Sequence, residues 1–576
     1  MLKGPGPGDV HARSLPRASR RDRGIYYTPA FLVDYVVDET LGPLLPKLAF
    51  REDGSPRVRI LDPAAGDGRF LTACVDRLVS AATQAGFAPE RARTSIVRQC
   101  VVGVERDERA AALSRHALGT GADIRVGEAL CGNAAPEGAW DVVIGNPPYV
   151  RSVALKRAEP ALWQALRGKF LATSHGEWDL YTAFLERALA WTAPGGEIGL
   201  VVPSRWFTAK NAAPLRALLS QRRCVRKIVD FGARQVFEGA TTYAALVFLT
   251  RREEGALAVE VTRWAGDVAT PGGAPPPIPP RGEWAQGTIP SLALGRGPWI
   301  LSVGRGENLI GRLRSAGPPL GQVARVSKGA GTNADSVFLI PASDGAALEE
   351  GALVPCVRGR DLAPFAPRVS RLALLPYDGD RPVPPGELAK RWPRAAAYLE
   401  RHRAVLEARE RGRFRGDLFY RWGRPQNLIW LRDPAPKVIV PDVARGGRAV
   451  LDDQGLLVID TAYALRPMDP GGASHLLGLI LAVLNSSIVG EWLRLAGIPL
   501  RGGYFRMKTA YLSSLPLPRV DTWGARSVAE WARRVRPEDE AERAALDRAV
   551  RGLYGVGSSV TAPSAPRAPR PARPVP

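Results

Sequence analysis

Cysteine and histidine are scarce in this chain, with five of each among 576 residues. The cysteines, at positions 74, 100, 131, 224 and 356, show no paired spacing, which argues against a disulfide framework and against a thiolate metal site. The histidines are equally dispersed, so no metal centre is expected. Long apolar runs are missing too. The longest, Leu476 to Leu484, is far too short to cross a bilayer. The opening Met1-Leu2-Lys3-Gly4-Pro5 lacks the apolar segment of a signal peptide. No Gly-Lys-Thr follows a glycine loop, so a P-loop for phosphates is not indicated. These absences predict a reduced, cytoplasmic protein with no membrane association.

Positive charge is what the chain has in excess. Seventy-nine Lys and Arg against 57 Asp and Glu give a formal charge of +22. A field of that sign favours a polyanionic partner, most simply nucleic acid. A composition rich in Arg, Ala and Pro throughout would raise the charge in the same way, so charge alone leaves both readings open. The length predicts two or three domains.

The chain is organised around Asn146-Pro147-Pro148-Tyr149. These residues close an apolar run, Asp141 to Gly145, that reads as a buried strand. Two prolines stop the strand and hold the chain extended, because each ring fixes φ and restricts the residue before it. Asn146 is then presented at a strand's carboxyl end, where open α/β sheets place their ligands. The Asn146 carboxamide oxygen and the Pro147 carbonyl are two convergent acceptors, suited to a planar –NH2 group. Tyr149 offers a flat face for the ring that carries it. Acceptors that grip both hydrogens of an aromatic amine favour its pyramidal, nucleophilic form. Taken alone, the tetrapeptide also fits an ordinary turn beside a core tyrosine.

Other strand tips supply more polar groups. Val58 to Leu61 reads as a strand running into Asp62-Pro63-Ala64-Ala65-Gly66-Asp67-Gly68, with a helix following. Strand, glycine turn and helix form the nucleotide-cradling unit of doubly wound folds, and small residues let a ligand approach the backbone. The spacing is not Gly-x-Gly-x-x-Gly, so a dinucleotide is not implied. Asp62 could bind an ammonium. A second strand, Cys100 to Val104, ends in Glu105, placed to bind a ribose diol. A third, Ile124 to Val126, ends in Gly127-Glu128-Ala129-Leu130. Upstream, Thr28 is expected to cap a helix whose first residue is Pro29. Downstream, Trp178 to Trp191 reads as an amphipathic helix ended by Pro194-Gly195-Gly196. Val225–Val229 and Tyr243–Leu249 read as an antiparallel pair at the sheet edge.

The expected organisation is a disordered arm over 1–23, an α/β catalytic domain over 24–264, a Pro/Gly-rich linker over 265–299, a second mixed domain over 300–555 and a disordered tail over 556–576. The apolar stretch 476–495 reads as core of the second domain.

Taken together and in this order, the quoted segments resemble the gamma-class DNA adenine-N6 methyltransferases of restriction–modification systems, the Taq-type with a carboxy-terminal specificity domain. The resemblance implies a Rossmann-like S-adenosylmethionine-dependent methyltransferase domain, followed by a mixed α+β DNA-specificity domain. By position, Tyr27, Thr28, Pro29, Asp62, Ala64, Gly66 and Gly68 would hold the cofactor, with Thr28 and Asp62 at its methionine end. Glu105 would bind the ribose hydroxyls and Glu128 the adenine amino group. The family carries Asp and an aromatic ring where this chain has Glu128 and Ala129, and Leu130 would stand in for the missing ring. Asn146 and Pro147 would grip the target amine, with Pro148 stiffening the loop. Tyr149 would stack on the target base and Phe237 would sandwich it from the other side. In the second half the resemblance is looser. It implies Lys328, Arg358, Arg360, Arg501 and Arg506 as candidates for phosphate and base contacts.

The implied partner is double-stranded DNA, with the target adenine flipped out of the helix. The chain starts close to the cofactor segment, so any restriction endonuclease is expected to be separately encoded, and the protein is expected to be a monomer. A glutamine-methylating enzyme shares the Asn-Pro-Pro-Tyr loop, but it needs neither the basic second domain nor the Tyr27-Thr28-Pro29 segment. A catalytically dead binding subunit would not need an intact loop.

Overall fold

The computed structural model describes residues 28–132, 134–232, 234, 236–237, 243–264, 284–469, 471–496, 499–500 and 504–557. The expected arm, Tyr27, Arg501 and all but two residues of the expected tail lie outside these. The chain forms two compact units, Met1–Gly306 and Glu307–Pro576.

The first unit opens with helix α1 (Ala30–Leu41) and strand β1 (Ile60–Asp62). The glycine turn leads into α2 (Arg69–Gln84), then β2 (Val101–Glu105), α3 (Glu108–Leu118), β3 (Asp123–Val126) and β4 (Trp140–Gly145). After the Asn-Pro-Pro-Tyr loop come α4 (Leu180–Trp191), β5 (Thr192–Pro203), β6 (Val225–Asp230), β7 (Ala244–Thr250), β8 (Ala258–Trp264) and β9 (Trp284–Pro290). All nine strands share one sheet in the order β3-β2-β1-β4-β5-β7-β6-β8-β9. Strands β1 to β5 are mutually parallel where they pair. The chain builds outward from β1 to β3 and then returns to the other side of β1 with β4. That reversal is the switch point at which doubly wound sheets bind ligands.

The strands read as unbroken apolar runs because both faces of the sheet are covered. Along β4, Val142 and Ile144 join the cluster under α1 and α2, built on Leu32, Val36, Leu71 and Cys74. Trp140 and Val143 face the opposite cluster, built on Tyr181, Phe184 and Leu185 of α4.

Several expectations about this unit change. Thr28 does not cap α1: Pro29 is the N-cap residue, and no side chain caps that helix. The Thr28 hydroxyl is engaged elsewhere, as shown below. Helix α4 stops at Trp191, before Pro194-Gly195-Gly196, and those three residues lie in β5 where its register with β4 shifts. The β6–β7 pair is antiparallel, but it is not the sheet edge, because β8 and β9 extend the sheet beyond it. Strand β9 falls inside the expected linker. Its sequence alternates, and its first residue, Trp284, packs on Trp264 and Phe231 at ring-centroid distances of 5.3 and 5.5 Å. The Pro/Gly content of 265–283 obscured that strand in the sequence. Trp299, Leu301 and Val303 also bury in the first unit's core, so the division between units lies past them, at 306/307.

The second unit holds two four-stranded sheets. One joins β10 (Ala324–Lys328), β14 (Lys437–Pro441), β15 (Val450–Asp452) and β17 (Ala462–Pro467) in the order β10-β17-β14-β15. The other joins β11 (Leu339–Pro341), β12 (Leu353–Val357), β13 (Arg371–Leu374) and β16 (Leu457–Val458) in the order β11-β13-β12-β16. A buried pair, Lys437 and Asp452, bridges β14 and β15 at 2.7 Å. Helices α5 (Ala473–Asn485) and α6 (Ser487–Ala496) supply the apolar stretch read as core, and eight consecutive residues, Leu477–Leu484, are buried. The two helices meet at 70°, and among the described residues no single helix is long and apolar enough to cross a membrane.

Candidate active site

Because β1 to β4 are parallel, their carboxyl ends deliver Asp62, Glu105, Glu128 and Asn146 to one edge of the sheet. β1 and β4 are direct neighbours, with Leu61 paired to Val143, so Asp62 and the start of the catalytic loop lie side by side. Gly145 makes that approach possible. A Cβ there would lie 2.5 Å from Asp62 Oδ1, and its φ of +152° is one that side chains avoid. Gly145→Ala is expected to cost about 1–3 kcal/mol of folding stability, read as a lower urea midpoint. Gly145→Ser should cost more.

Asp62 is fully buried. Its Oδ1 accepts the Ala64 N–H at 3.0 Å, and its Oδ2 has no hydrogen-bond partner among the described residues. Burial pushes its carboxyl up to about 8, with the Ala64 N–H opposing and the charges of Glu105 and Asp67 adding to the rise. An orphaned buried carboxylate oxygen at a switch point fits a ligand ammonium.

The glycine turn is built tightly. Gly66 and Gly68 take φ values of +56° and +83°, in the left-handed region. At Gly68 a Cβ would meet Ser114 Oγ of α3 at 2.6 Å. Glu105 Oε2 accepts the Gly66 N–H at 2.9 Å, while Oε1 accepts those of Arg106 and Asp107. Glu105 therefore braces the turn, and its Oε2, which accepts a single bond, keeps a lone pair for a ribose hydroxyl. Ala64 and Gly66 are half-exposed at this edge.

Glu128 pairs with Arg106 at 3.1 Å and accepts the Leu130 N–H at 3.0 Å. Burial is the main cause that raises its carboxyl. The Leu130 side chain is fully buried in the core, so it offers no face for a ligand ring, contrary to the stand-in expected of it. At this edge its backbone N–H orients Glu128.

Pro147 is buried, and Pro148 and Tyr149 are half-exposed. The Tyr149 hydroxyl donates to the Val201 carbonyl at 3.3 Å, which fixes the ring against β5. Tyr181 of α4 packs edge-on against it at 6.0 Å, a support that only the Asp179-Leu180-Tyr181 segment hinted at in the sequence. Phe237 lies against Tyr149, at 6.2 Å between ring centroids. The two rings meet at 74°, edge to face rather than as parallel walls. In this contact the two rings leave no gap for a base.

Asn146 Nδ2 donates to Thr28 Oγ1 at 3.0 Å. Sequence reasoning missed Arg69, just past the glycine turn. Its Nη1 donates to the Thr28 carbonyl at 3.2 Å and its Nε to Asp67 Oδ2 at 2.7 Å. Pro29 stands between Thr28 and α1, and its carbonyl accepts the N–H groups of Leu32 and Val33.

The second-unit candidates separate by exposure. Arg360 and Arg506 are exposed. Lys328 is half-exposed and ion-paired with Asp460. Arg358 is a correction: it is 6 % exposed and grips Asp361 through two bonds of 2.8 Å. Its guanidinium is spent on holding the 358–361 turn, so it is removed from the set of DNA-contact candidates.

Comparison with known proteins agrees with this arrangement. The family model "Eco57I restriction-modification methylase" matches residues 99–237. Type II methyltransferase M.PaeR7I of Pseudomonas aeruginosa is 27% identical over 93% of this chain and 92% of its own. Type II methyltransferase M.XhoI of Xanthomonas vasicola is 26% identical over 93% and 98%. The solved structure of the Type IIL restriction–modification enzyme MmeI in complex with DNA covers 96% of this chain and 79% of its own, with a TM-score of 0.60 and 15% identity. The chain is an S-adenosylmethionine-dependent methyltransferase of the restriction–modification type, with its Eco57I-like methylase domain in the first unit.

Proposed function

We propose that this enzyme methylates the N6 amino group of an adenine in double-stranded DNA, within one short recognition sequence. The observation that carries the proposal is the side-by-side placement of Asn146 and Asp62 at the β1/β4 switch point, with Gly145 keeping room between them. One group is suited to an amine acceptor and the other to a cofactor ammonium. S-adenosylmethionine, when bound, supplies an electrophilic methyl group. The buried Asp62 carboxylate would hold its ammonium, and Glu105 and Glu128 would take the ribose and the adenine amine.

The chain's own part in the reaction lies in the catalytic loop. Asn146 Oδ1 and the Pro147 carbonyl accept the two N–H bonds of the target amine. This favours the pyramidal nitrogen and stabilises the positive charge that grows there during transfer. The diproline corner keeps both acceptors rigid, so little reorganisation is needed. Tyr149 receives the flipped base on its face, and Phe237 closes over it after swinging away from Tyr149. Unstacking the base costs a few kcal/mol, which phosphate contacts offset.

The second unit would read the DNA sequence. M.PaeR7I and M.XhoI are methyltransferases by name and match this chain over nearly their whole lengths, which supports a separately encoded endonuclease. Arg360 and Arg506 are its exposed basic candidates. Each alanine substitution is expected to lower the slope of log affinity against log salt by about 1 if the residue meets a phosphate. Fluorescence anisotropy with duplex DNA across a salt series measures this.

The reading is tested by incubating the enzyme with tritiated S-adenosylmethionine and duplex DNA, then digesting the DNA to nucleosides. Label in N6-methyl-2′-deoxyadenosine supports it. Label in methylcytosine, or only in a glutamine peptide supplied alongside, refutes it.

A further inference from the structure

The catalytic carboxamide has two ends, and only one of them can serve the reaction. Its oxygen accepts an N–H from the target amine, whereas its –NH2 would face that amine donor to donor. The terminal torsion of an asparagine is soft and roughly two-fold, so the residue does not choose its orientation unaided. The choice falls to a neighbour that takes up the –NH2.

Thr28 Oγ1 is that neighbour, accepting from Asn146 Nδ2 at 3.0 Å. Thr28 is 4 % exposed, so water does not compete effectively for this bond. The residue is itself held in place: its carbonyl accepts Arg69 Nη1 at 3.2 Å, and Arg69 is anchored through Nε to Asp67 in the glycine turn. An unbroken line of polar contacts therefore runs from the cofactor turn, through Asp67, Arg69 and Thr28, to the carboxamide that grips the substrate.

We propose that Thr28 is a positioning residue for methyl transfer: its hydroxyl holds the –NH2 of Asn146 so that Oδ1 points at the target amine, and Arg69 sets the height of Thr28. This rests on the reading of Asn146 as the amine acceptor. It gives Thr28 a task separate from holding the cofactor. The hydroxyl acts on the carboxamide, and the effect is on the rate of transfer rather than on cofactor affinity.

The test uses the full chain, with genomic DNA free of adenine methylation as substrate. Two quantities are read: the single-turnover rate of tritium transfer at saturating S-adenosylmethionine, and the cofactor Kd by calorimetry. Thr28→Val removes the hydroxyl and keeps the shape. It is expected to slow transfer about 10- to 100-fold while Kd stays within about threefold. Thr28→Ser keeps the hydroxyl and is expected to transfer at nearly the wild-type rate. A valine variant that transfers as fast as wild type overturns the proposal. So does one whose whole deficit is lost cofactor affinity. Should Thr28→Val fail to fold, Arg69→Met decides in the same assay, because it leaves the hydroxyl and releases the segment that carries it. Slower transfer at unchanged Kd supports the proposal, and an unchanged rate overturns it. Failure of wild type itself to label adenine would count against the proposed function instead.

Discussion

Replacing Asn146 with alanine is expected to slow single-turnover methyl transfer by about 10²–10³-fold. The substitution removes one of the two acceptors that meet the target amine and leaves the Pro147 carbonyl in place. The diproline corner keeps its shape, since Pro147 and Pro148 hold it by their own rings. Binding of S-adenosylmethionine should change little, because its contacts are assigned to the 27–29 segment, the glycine turn and the tips of β1, β2 and β3, and Asn146 is in none of them. The split between rate and binding is what makes the prediction specific. Rapid-quench measurement of tritium transfer, beside calorimetry for the cofactor, reads both. A variant that transfers at the wild-type rate would remove Asn146 from the chemistry.

Asp62→Asn should have the opposite profile: binding weakens and the fold gains. Burial pushes the Asp62 carboxyl up to about 8, so its folded value lies above the unfolded value of 3.8. An acid shifted upward is held neutral by the fold. Its contribution to stability is fully present below pH 3.8 and is lost as pH rises toward about 8, where the buried group is driven to ionise. Asparagine never ionises there. The cofactor-free variant should therefore melt roughly 5 °C or more above wild type at pH 8, and above it by less than half that margin at pH 5. A cofactor ammonium reverses the balance, because opposite charge favours the carboxylate. Binding to wild type at pH 7 should then release close to one proton, seen as a dependence of the calorimetric heat on buffer ionisation. Affinity should climb between pH 6 and 7.5, below the range near 8 where an α-ammonium itself titrates. The variant should release no proton and bind at least about tenfold more weakly, as expected when a charged partner is lost. Equal proton release by both proteins would assign the titration to another group.

Much of this site was legible in the sequence because it is written in local signals. Strand, turn and helix alternate, so the sequence by itself places the tips at Asp62, Glu105, Glu128 and Asn146 on one edge. The parallel order that gathers them follows from the same alternation. What escaped was written in contacts between distant segments. Thr28 reads as a helix cap because Pro29 follows it, yet its hydroxyl is engaged by Asn146, 118 residues away. Arg358 stands two residues before Arg360 and reads as a surface cation, but Asp361 folds back to neutralise it inside the unit. Leu130 reads as a replacement ring on position alone, and only packing shows that its side chain points into the core. Strand β9 was hidden because a Pro/Gly-rich stretch next to a strand dominates any composition window that covers both.

Methylation-sensitive sequencing of DNA from a host that expresses this chain tests the central claim most directly. The account predicts N6-methyladenine at one short motif throughout the genome, and none in cells that carry Asn146→Ala. An adenine methylome identical in the two strains, or methyl groups found only on cytosine, would contradict it.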